Sequence, residues 1–453
     1  RPLSGRRALE AISMLRALSR TRYDWLVVGA GPCGIVTSGV VLDHLKRAND
    51  GGSVAWCDPT FCVGRLGEKY RSVPGNTHAG RTRKALSDIH SLHFYESQAL
   101  REAKGEATLT AVPEEKTYTL EIGVNALEDA TNSMVSDRQL NPIRGQVVSL
   151  SQSEGCRAWV AEIFESNEGG EPSMSEVCAR HVALVTGGQP RAPPKAFEAR
   201  AVAVDDVVCP HACRRLLESN PALLRETWGI VGNSHTGVLA AKNLMENGLA
   251  EGGGRVVLYG RRGATFAEPR EGGWIKHDGI GLKGTTATWA RAIGLGPAPP
   301  TLDAPVRFAC VTEDDPAMWE ETVKKDAVGP MVFATGFEPV PPPAVYLLEG
   351  QEIDATRYNP RSGRIADGLY GFGIGFPEEY TDPEDEVETR VGFTPNFVKH
   401  VQRALVATEE AKVGRVGEKS IEDALLASGA AAAARAARRA AGTYADNGSF
   451  VVA

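Results

Sequence analysis

The sequence predicts an α/β fold of two doubly wound units, the second inserted into the first, and three observations carry that reading. One pattern, an apolar run, a glycine-rich turn, a helical stretch and a second apolar run, occurs at residues 23–58 and again at 228–259. Between and after the copies lie segments that alternate with the period of two expected of strands. Proline-rich stretches at 190–194, 297–300 and 339–343 mark the joints where the chain would leave one unit for the other. At 453 residues the chain has length for roughly three domains, or for two with one interrupted.

Taken in order, residues 23–28 form a strand that runs into Gly29, Ala30, Gly31, Pro32, Cys33 and Gly34, and 35–45 read as the helix after the turn. Residues 53–57 form the next strand, closed by Asp58. Residues 145–152 and 158–164 alternate as strands, and 181–185 are a short apolar strand before Thr186 and Gly187. The second copy has its strand at 228–231, its turn at 232–237, its helix at 238–247 and its second strand at 255–259. A last short strand at 331–333 leads into Ala334, Thr335 and Gly336. The expected organisation is therefore a leader at 1–22, a first unit at 23–190 that resumes at 336–405, a second unit at 191–335, and an Ala/Arg-rich tail at 406–453. The tail reads as a peripheral helix or frayed end, since Ala and Arg favour helix but supply little apolar volume.

Composition narrows the function. Lys+Arg 50 against Asp+Glu 57 gives a net charge of -7, which argues against nucleic acid as the partner. No run of 18 apolar residues is present, so no transmembrane helix is expected. Eight cysteines in so long a chain do not make the framework of a small secreted domain, and reduced thiols in an intracellular compartment are expected. Residues 1–22 carry six arginines and one acid, which reads either as the remnant of an organellar transit segment or as a solvated helix, so the expected location is cytoplasmic or organellar.

The turns carry the chemistry. In a G-x-G-x-x-G turn between strand and helix, Gly29 permits the sharp bend, Gly31 lets backbone amides approach a pyrophosphate, and Gly34 lets helix and sheet pack closely. Asp58, 29 residues beyond Gly29, is placed to accept a hydrogen bond from a ribose hydroxyl. The second turn keeps Gly232 and Gly237, with Ser234 in place of the middle glycine, and its closing strand is followed by Arg261 and Arg262 instead of an acid. Arginine there suits a 2′-phosphate. These are two Rossmann-like dinucleotide-binding domains, one for FAD and one for NADPH, with hydride passing from nicotinamide to flavin.

With those residues in view, and with Ser72, Val73, Pro74, Gly75, Asn76 and Thr77, Thr186 with Gly187, and Ala334 to Phe337, the chain resembles the flavoproteins with two dinucleotide-binding domains. Within them it resembles the flavin-containing monooxygenase branch, over about residues 23–400. The resemblance implies that Thr186, Gly187, Thr335 and Gly336 lie in the crossover segments. It also implies that Asn76 sits beside the flavin and helps hold an oxygen adduct, and that the stretch containing Gly375, followed by 391–393, returns to the FAD domain. Asn76 in an ordinary turn is the alternative. Val148, on the alternating strand 145–152, is counted with the FAD site, and His78 is a candidate flavin-side acid or base. The chain departs from the branch at Phe197, Glu198 and Ala199, where an F-x-G-x-x-x-H stretch would stand; the glycine and the histidine are both missing.

The other reactive residues carry weaker signals. Cys57 and Cys62 are spaced suggestively for a redox pair, but Cys57 lies inside a strand; Cys209 and Cys213 would make half of a metal site with no second half. No metal is expected. His235 lies in the NADPH-side turn, as a phosphate contact or a helix-start residue, and 272–291, with Lys276, His277 and Lys283, read as a cover over substrate or nicotinamide or as a solvated loop. Three functions remain open: an FAD- and NADPH-dependent monooxygenase acting on a small organic substrate with molecular oxygen, a reductase or dehydrogenase of quinone-like or unsaturated acceptors, and a flavin-binding scaffold without turnover.

Overall fold

Trp25, Leu26, Val27 and Val28 are buried on both faces of their strand, the signature of a strand with parallel neighbours and helices above and below. In the computed structural model, which describes residues 22–48, 51–153, 158–165, 172–271, 274–278, 280–295, 305–311, 316–384, 387–390 and 394–413, this strand, Arg22–Val28, lies inside the larger of two main sheets. The leader to residue 21, the tail from 414 and the segment 391–393 lie outside the described residues.

Arg22–Val28 pairs in parallel with Val54–Asp58 on one side and Ser173–Leu184 on the other, and Val54–Asp58 pairs in parallel with Leu140–Arg144. Beyond Ser173–Leu184 the sheet becomes antiparallel through Trp159–Glu165 and Gln146–Gln152, and is extended by Ala344–Tyr346 and Glu352–Ile353. Leu369–Gly371 also pairs in parallel with Ser173–Leu184. This sheet therefore takes strands from both sides of the second copy of the pattern. The strand read as 181–185 is longer than expected, because its first half, with Ser173, Ser175 and Glu176, is polar and carries no apolar alternation to reveal it.

The second main sheet is parallel throughout, in the order Ala201–Val202, Met331–Phe333, Thr227–Val231, Arg255–Gly260, Val306–Cys310. Helices His235–Glu246 and Gly284–Ala292 pack on it around Trp228, Ile230, Leu244 and Leu258. The helix after the second turn starts three residues earlier than its apolar pattern suggests, since Ser234 already has the extended backbone of a cap.

The chain passes between the sheets twice, and the two passages, Gly188–Pro190 and Phe337–Pro339, run antiparallel as a small ribbon. A second link comes from the excursion between Asp58 and Leu140, whose Tyr70, Val73 and Leu120 pack onto the core of the second sheet. Arg65 pairs with Asp205 there, and the Tyr70 hydroxyl donates to the same carboxylate at 2.5 Å. No helix among the described residues is long and apolar enough to cross a membrane.

Candidate active site

The first turn is fixed by its own backbone. Gly29 has φ +115°, and a Cβ on it would lie 2.5 Å from the Val185 carbonyl oxygen; a Cβ on Gly34 would collide with the Gly29 carbonyl. Gly31 differs: nothing in the protein lies within 4 Å of where its Cβ would be. The fold does not need glycine there, whereas a ligand lying over the start of helix Pro32–Ala48 would need the space.

Asp58 closes the turn from the side. Its Oδ2 accepts from the Ala30 N–H at 2.7 Å, and its Oδ1 accepts from the N–H groups of Thr60 and Phe61 at 2.8 and 2.7 Å. With one bond on Oδ2, the carboxylate keeps a lone pair on the side of the turn. The same bonds hold a loop in which Phe61 and the fully buried Val63 adopt left-handed backbone, at φ 55° and 63°, a strained state for a β-branched residue. The loop brings Gly64 so near that its Cβ would lie 3.2 Å from the Gly31 Cα. Sequence reasoning missed Gly64, whose only signal is one glycine after a strand end. Val148 lies at a break in register between Val147 and Ser149 and stays exposed.

The crossover lies next to this turn. The Thr186 hydroxyl is buried without a partner, and Gly187 and Gly336, at φ +79° and +97°, both face open space. Thr335 is exposed. The return segment covers the crossover: a Cβ on Gly375 would lie 2.5 Å from the Gly187 carbonyl oxygen, and one on Gly373 2.9 Å from the Cys33 Cβ. Burial pushes the Cys33 thiol up to about 12, so it stays protonated beside the turn. Cys57 donates to the Gly145 carbonyl at 3.3 Å while Cys62 contacts Thr60 and Glu68, and the described cysteines are all free.

The second turn repeats the first. A Cβ on Gly232 would collide with the Ala334 carbonyl and one on Gly237 with the Gly232 carbonyl. Ser234, exposed, caps helix His235–Glu246 through its backbone and leaves its hydroxyl uncommitted to the cap. Asn233, which sequence reasoning passed over, donates from its side chain to the Arg262 carbonyl. It thereby ties the turn to the exposed pair Arg261 and Arg262 at the end of the neighbouring strand.

Asn76 lies half-buried in the strand Pro74–His78, paired with Thr117–Thr119, and its Oδ1 accepts from the Thr77 hydroxyl at 3.4 Å. His78 is exposed at the start of helix Ala79–Ser87. A Cβ on Gly284 would lie 3.5 Å from the Gly75 carbonyl oxygen, so the Asn76 strand meets a helix of the second sheet. The segment read as a cover is ribbon at its start and helix Gly284–Ala292 at its end: Glu268–Pro269 pairs with Ile275–Lys276, Lys276 binds Glu384 at 2.5 Å, and the His277 N–H donates to Glu388 at 2.9 Å. From its other side Asp278 accepts from Arg81 at 3.3 Å. Residues 272, 273 and 279 of that segment lie outside the described residues.

Two glycine turns, each after a strand with parallel neighbours, one closed by a carboxylate and the other followed by arginines, are consistent with two dinucleotide-binding folds. The chain is similar to Monooxygenase AgnR1 of Paecilomyces divaricatus, 29% identical over 396 residues that cover 83% of this chain and 96% of that one. No family model matches it. Its fold is shared with FAD-bound DfoA, the cadaverine monooxygenase of the desferrioxamine pathway in Erwinia amylovora (TM-score 0.52, 14% identity, 88% of this chain and 97% of that one). It is shared too with the ornithine N-hydroxylase KtzI of Kutzneria sp. 744, in the form KtzI-FADred-NADP+-L-orn (TM-score 0.51, 11% identity, 86% and 100%). The chain is similar in sequence and fold to FAD/NAD(P)-binding oxidoreductases, and it is an oxidoreductase.

Proposed function

We propose that the protein is a monooxygenase that uses NADPH to reduce FAD and transfers an oxygen atom from molecular oxygen to a small organic substrate. The observation that carries the reading is the contrast between the two turns, with Asp58 drawn into the first and Arg261 and Arg262 left exposed beside the second. In this reading FAD belongs to residues 23–190 and 336–405, and NADPH to an inserted domain at 191–335.

FAD, when bound, supplies the two-electron and oxygen chemistry that side chains lack. The residues supply position. The amides after Gly29 and the open space over Gly31 would receive the pyrophosphate, and Asp58 would offer its remaining lone pair to a ribose hydroxyl. Arg261 and Arg262 bind a 2′-phosphate, and Asn76 and His78 present an amide and an imidazole where the two halves meet. The similarity to Monooxygenase AgnR1 supports a monooxygenase. We place the protein inside the cell, on its free thiols.

The test is spectroscopic. The purified protein should be yellow, should bleach with NADPH without oxygen, and on readmission of oxygen with substrate should give oxygenated product. Bleaching followed by reduction of a quinone, with no oxygenated product, would establish the reductase instead. Failure to bleach would leave a scaffold.

A further inference from the structure

The loop beside the first turn is held at three points, and one of its anchors lies in the other half of the molecule. Its entry is fixed by Asp58, which accepts from the Thr60 and Phe61 N–H groups, while left-handed backbone at Phe61 and Val63 gives it a strain that only its surroundings can maintain. Its exit, past helix Gly64–Lys69, is fixed by Arg71, whose guanidinium donates to the Gly67 carbonyl at 3.0 Å and to Asn125 Oδ1 at 3.1 Å. Between these anchors Gly64 comes up against Gly31, and the next residue, Arg65, reaches away to Asp205. The Tyr70 hydroxyl donates to the other oxygen of that carboxylate at 2.5 Å and accepts from Arg65 Nε at 3.2 Å, so the three groups close a ring. Charge-assisted bonds in such a half-buried ring hold better than a lone surface pair.

Asp205 is itself fixed. It lies on helix Val204–Val208, whose Val204, Val207 and Val208 sit in the core of the second sheet. The Val207 and Val208 carbonyls each accept at 2.8 Å from the buried side-chain amide of Asn243, on the helix that the second turn begins. A further tie stands next to it, where the Ser72 hydroxyl lies 2.9 Å from the Cys209 thiol.

We propose that Asp205 is a positioning residue for FAD, acting through Arg65 to keep Gly64 against Gly31, so that the half of the molecule read as binding NADPH holds the wall beside the FAD pyrophosphate. The inference rests on the assignment of the first turn to FAD.

The experiment follows FAD release from the full-length, flavin-loaded protein by the gain in flavin fluorescence on dilution, with the melting temperature of the flavin-free protein recorded for each variant. Arg65→Met and Asp205→Asn should each speed release about tenfold, and the two together should also give about tenfold, since they break one contact. Arg65→Lys, which keeps the charge, should stay within about threefold of the unaltered rate. Unchanged release in either single variant, or a double variant about a hundredfold faster than the unaltered protein, would overturn the positioning role. A lower melting temperature with no change in release would overturn it too, as the mark of a tie that serves stability alone. If Gly31→Val holds FAD as firmly as the unaltered protein, the assignment of the first turn falls and this inference falls with it.

Discussion

Gly31 separates what the fold requires from what a ligand requires. A valine at Gly29 or Gly34 would meet the protein's own carbonyls, whereas the space over Gly31 is open. Gly31→Val should therefore fold with a nearly unchanged melting temperature yet purify without flavin, while Gly34→Val should fail to fold; a yellow Gly31→Val protein would refute the pyrophosphate assignment. Arg261 and Arg262 make a second test at this scale. Each charge-assisted contact to a phosphate is worth about 1.5–3 kcal/mol. Changing both to alanine should thus erase most of the preference for NADPH over NADH in flavin reduction, and equal use of the two nucleotides by the unaltered protein would contradict the role. Asn76→Ala should leave the rate of flavin reduction nearly intact while raising hydrogen peroxide released per NADPH consumed. An unchanged ratio at full flavin content would leave Asn76 with only its place in the strand Pro74–His78.

At the scale of elements, Asp58 joins a strand, a turn and a strained loop through bonds that all come from N–H and O–H donors. Asp58→Asn would turn an amide NH₂ toward at least one of those donors. It should cost about 1–3 kcal/mol in stability and loosen the loop that carries Gly64 to Gly31, read as a lower denaturation midpoint together with lower flavin retention. That network also marks how far the sequence was legible. Strand, glycine turn, helix and acid appear in the right order because each is a local requirement: a bend, a close approach, a buried apolar run. Asp58 was readable as the acid that closes the strand after the turn, but its bonds to Thr60 and Phe61 were not, because they depend on left-handed backbone at Phe61 and Val63 that neither residue type favours. The ribbon around Asp278 was unreadable for a related reason. Its partners Arg81, Glu384 and Glu388 are about 100 to 200 residues away along the chain and carry no spacing of their own.

For the whole molecule, the buried histidines set the response to acid. His400 lies on helix Thr394–Val413 in the core of the first sheet, 2% exposed, edge-on to the Phe372 ring at 5.1 Å, and burial lowers it from 6.5 to about 4. A histidine held neutral in the folded chain and free to charge in the unfolded one lets the unfolded state bind the extra proton. Its contribution is fully present above 6.5 and is lost as the pH falls from there toward 4, by about 1.4 kcal/mol per pH unit. His235, lowered to the same value, adds a parallel loss. Carboxylates lowered by their partners, such as Asp137 beside Lys46 and Asp278 beside Lys283, give up their contribution only at lower pH, below the usual carboxylate range. The stability of the protein should thus drop steeply between pH 6.5 and 4.5 while most carboxylates remain charged. In His400→Leu, which keeps an apolar contact to Phe372 and removes the proton site, the slope of unfolding free energy against pH in that window should fall by roughly half, as one of two such groups is lost. Chemical denaturation at half-unit pH steps measures both slopes; equal slopes would show that the imidazole of His400 does not titrate on unfolding.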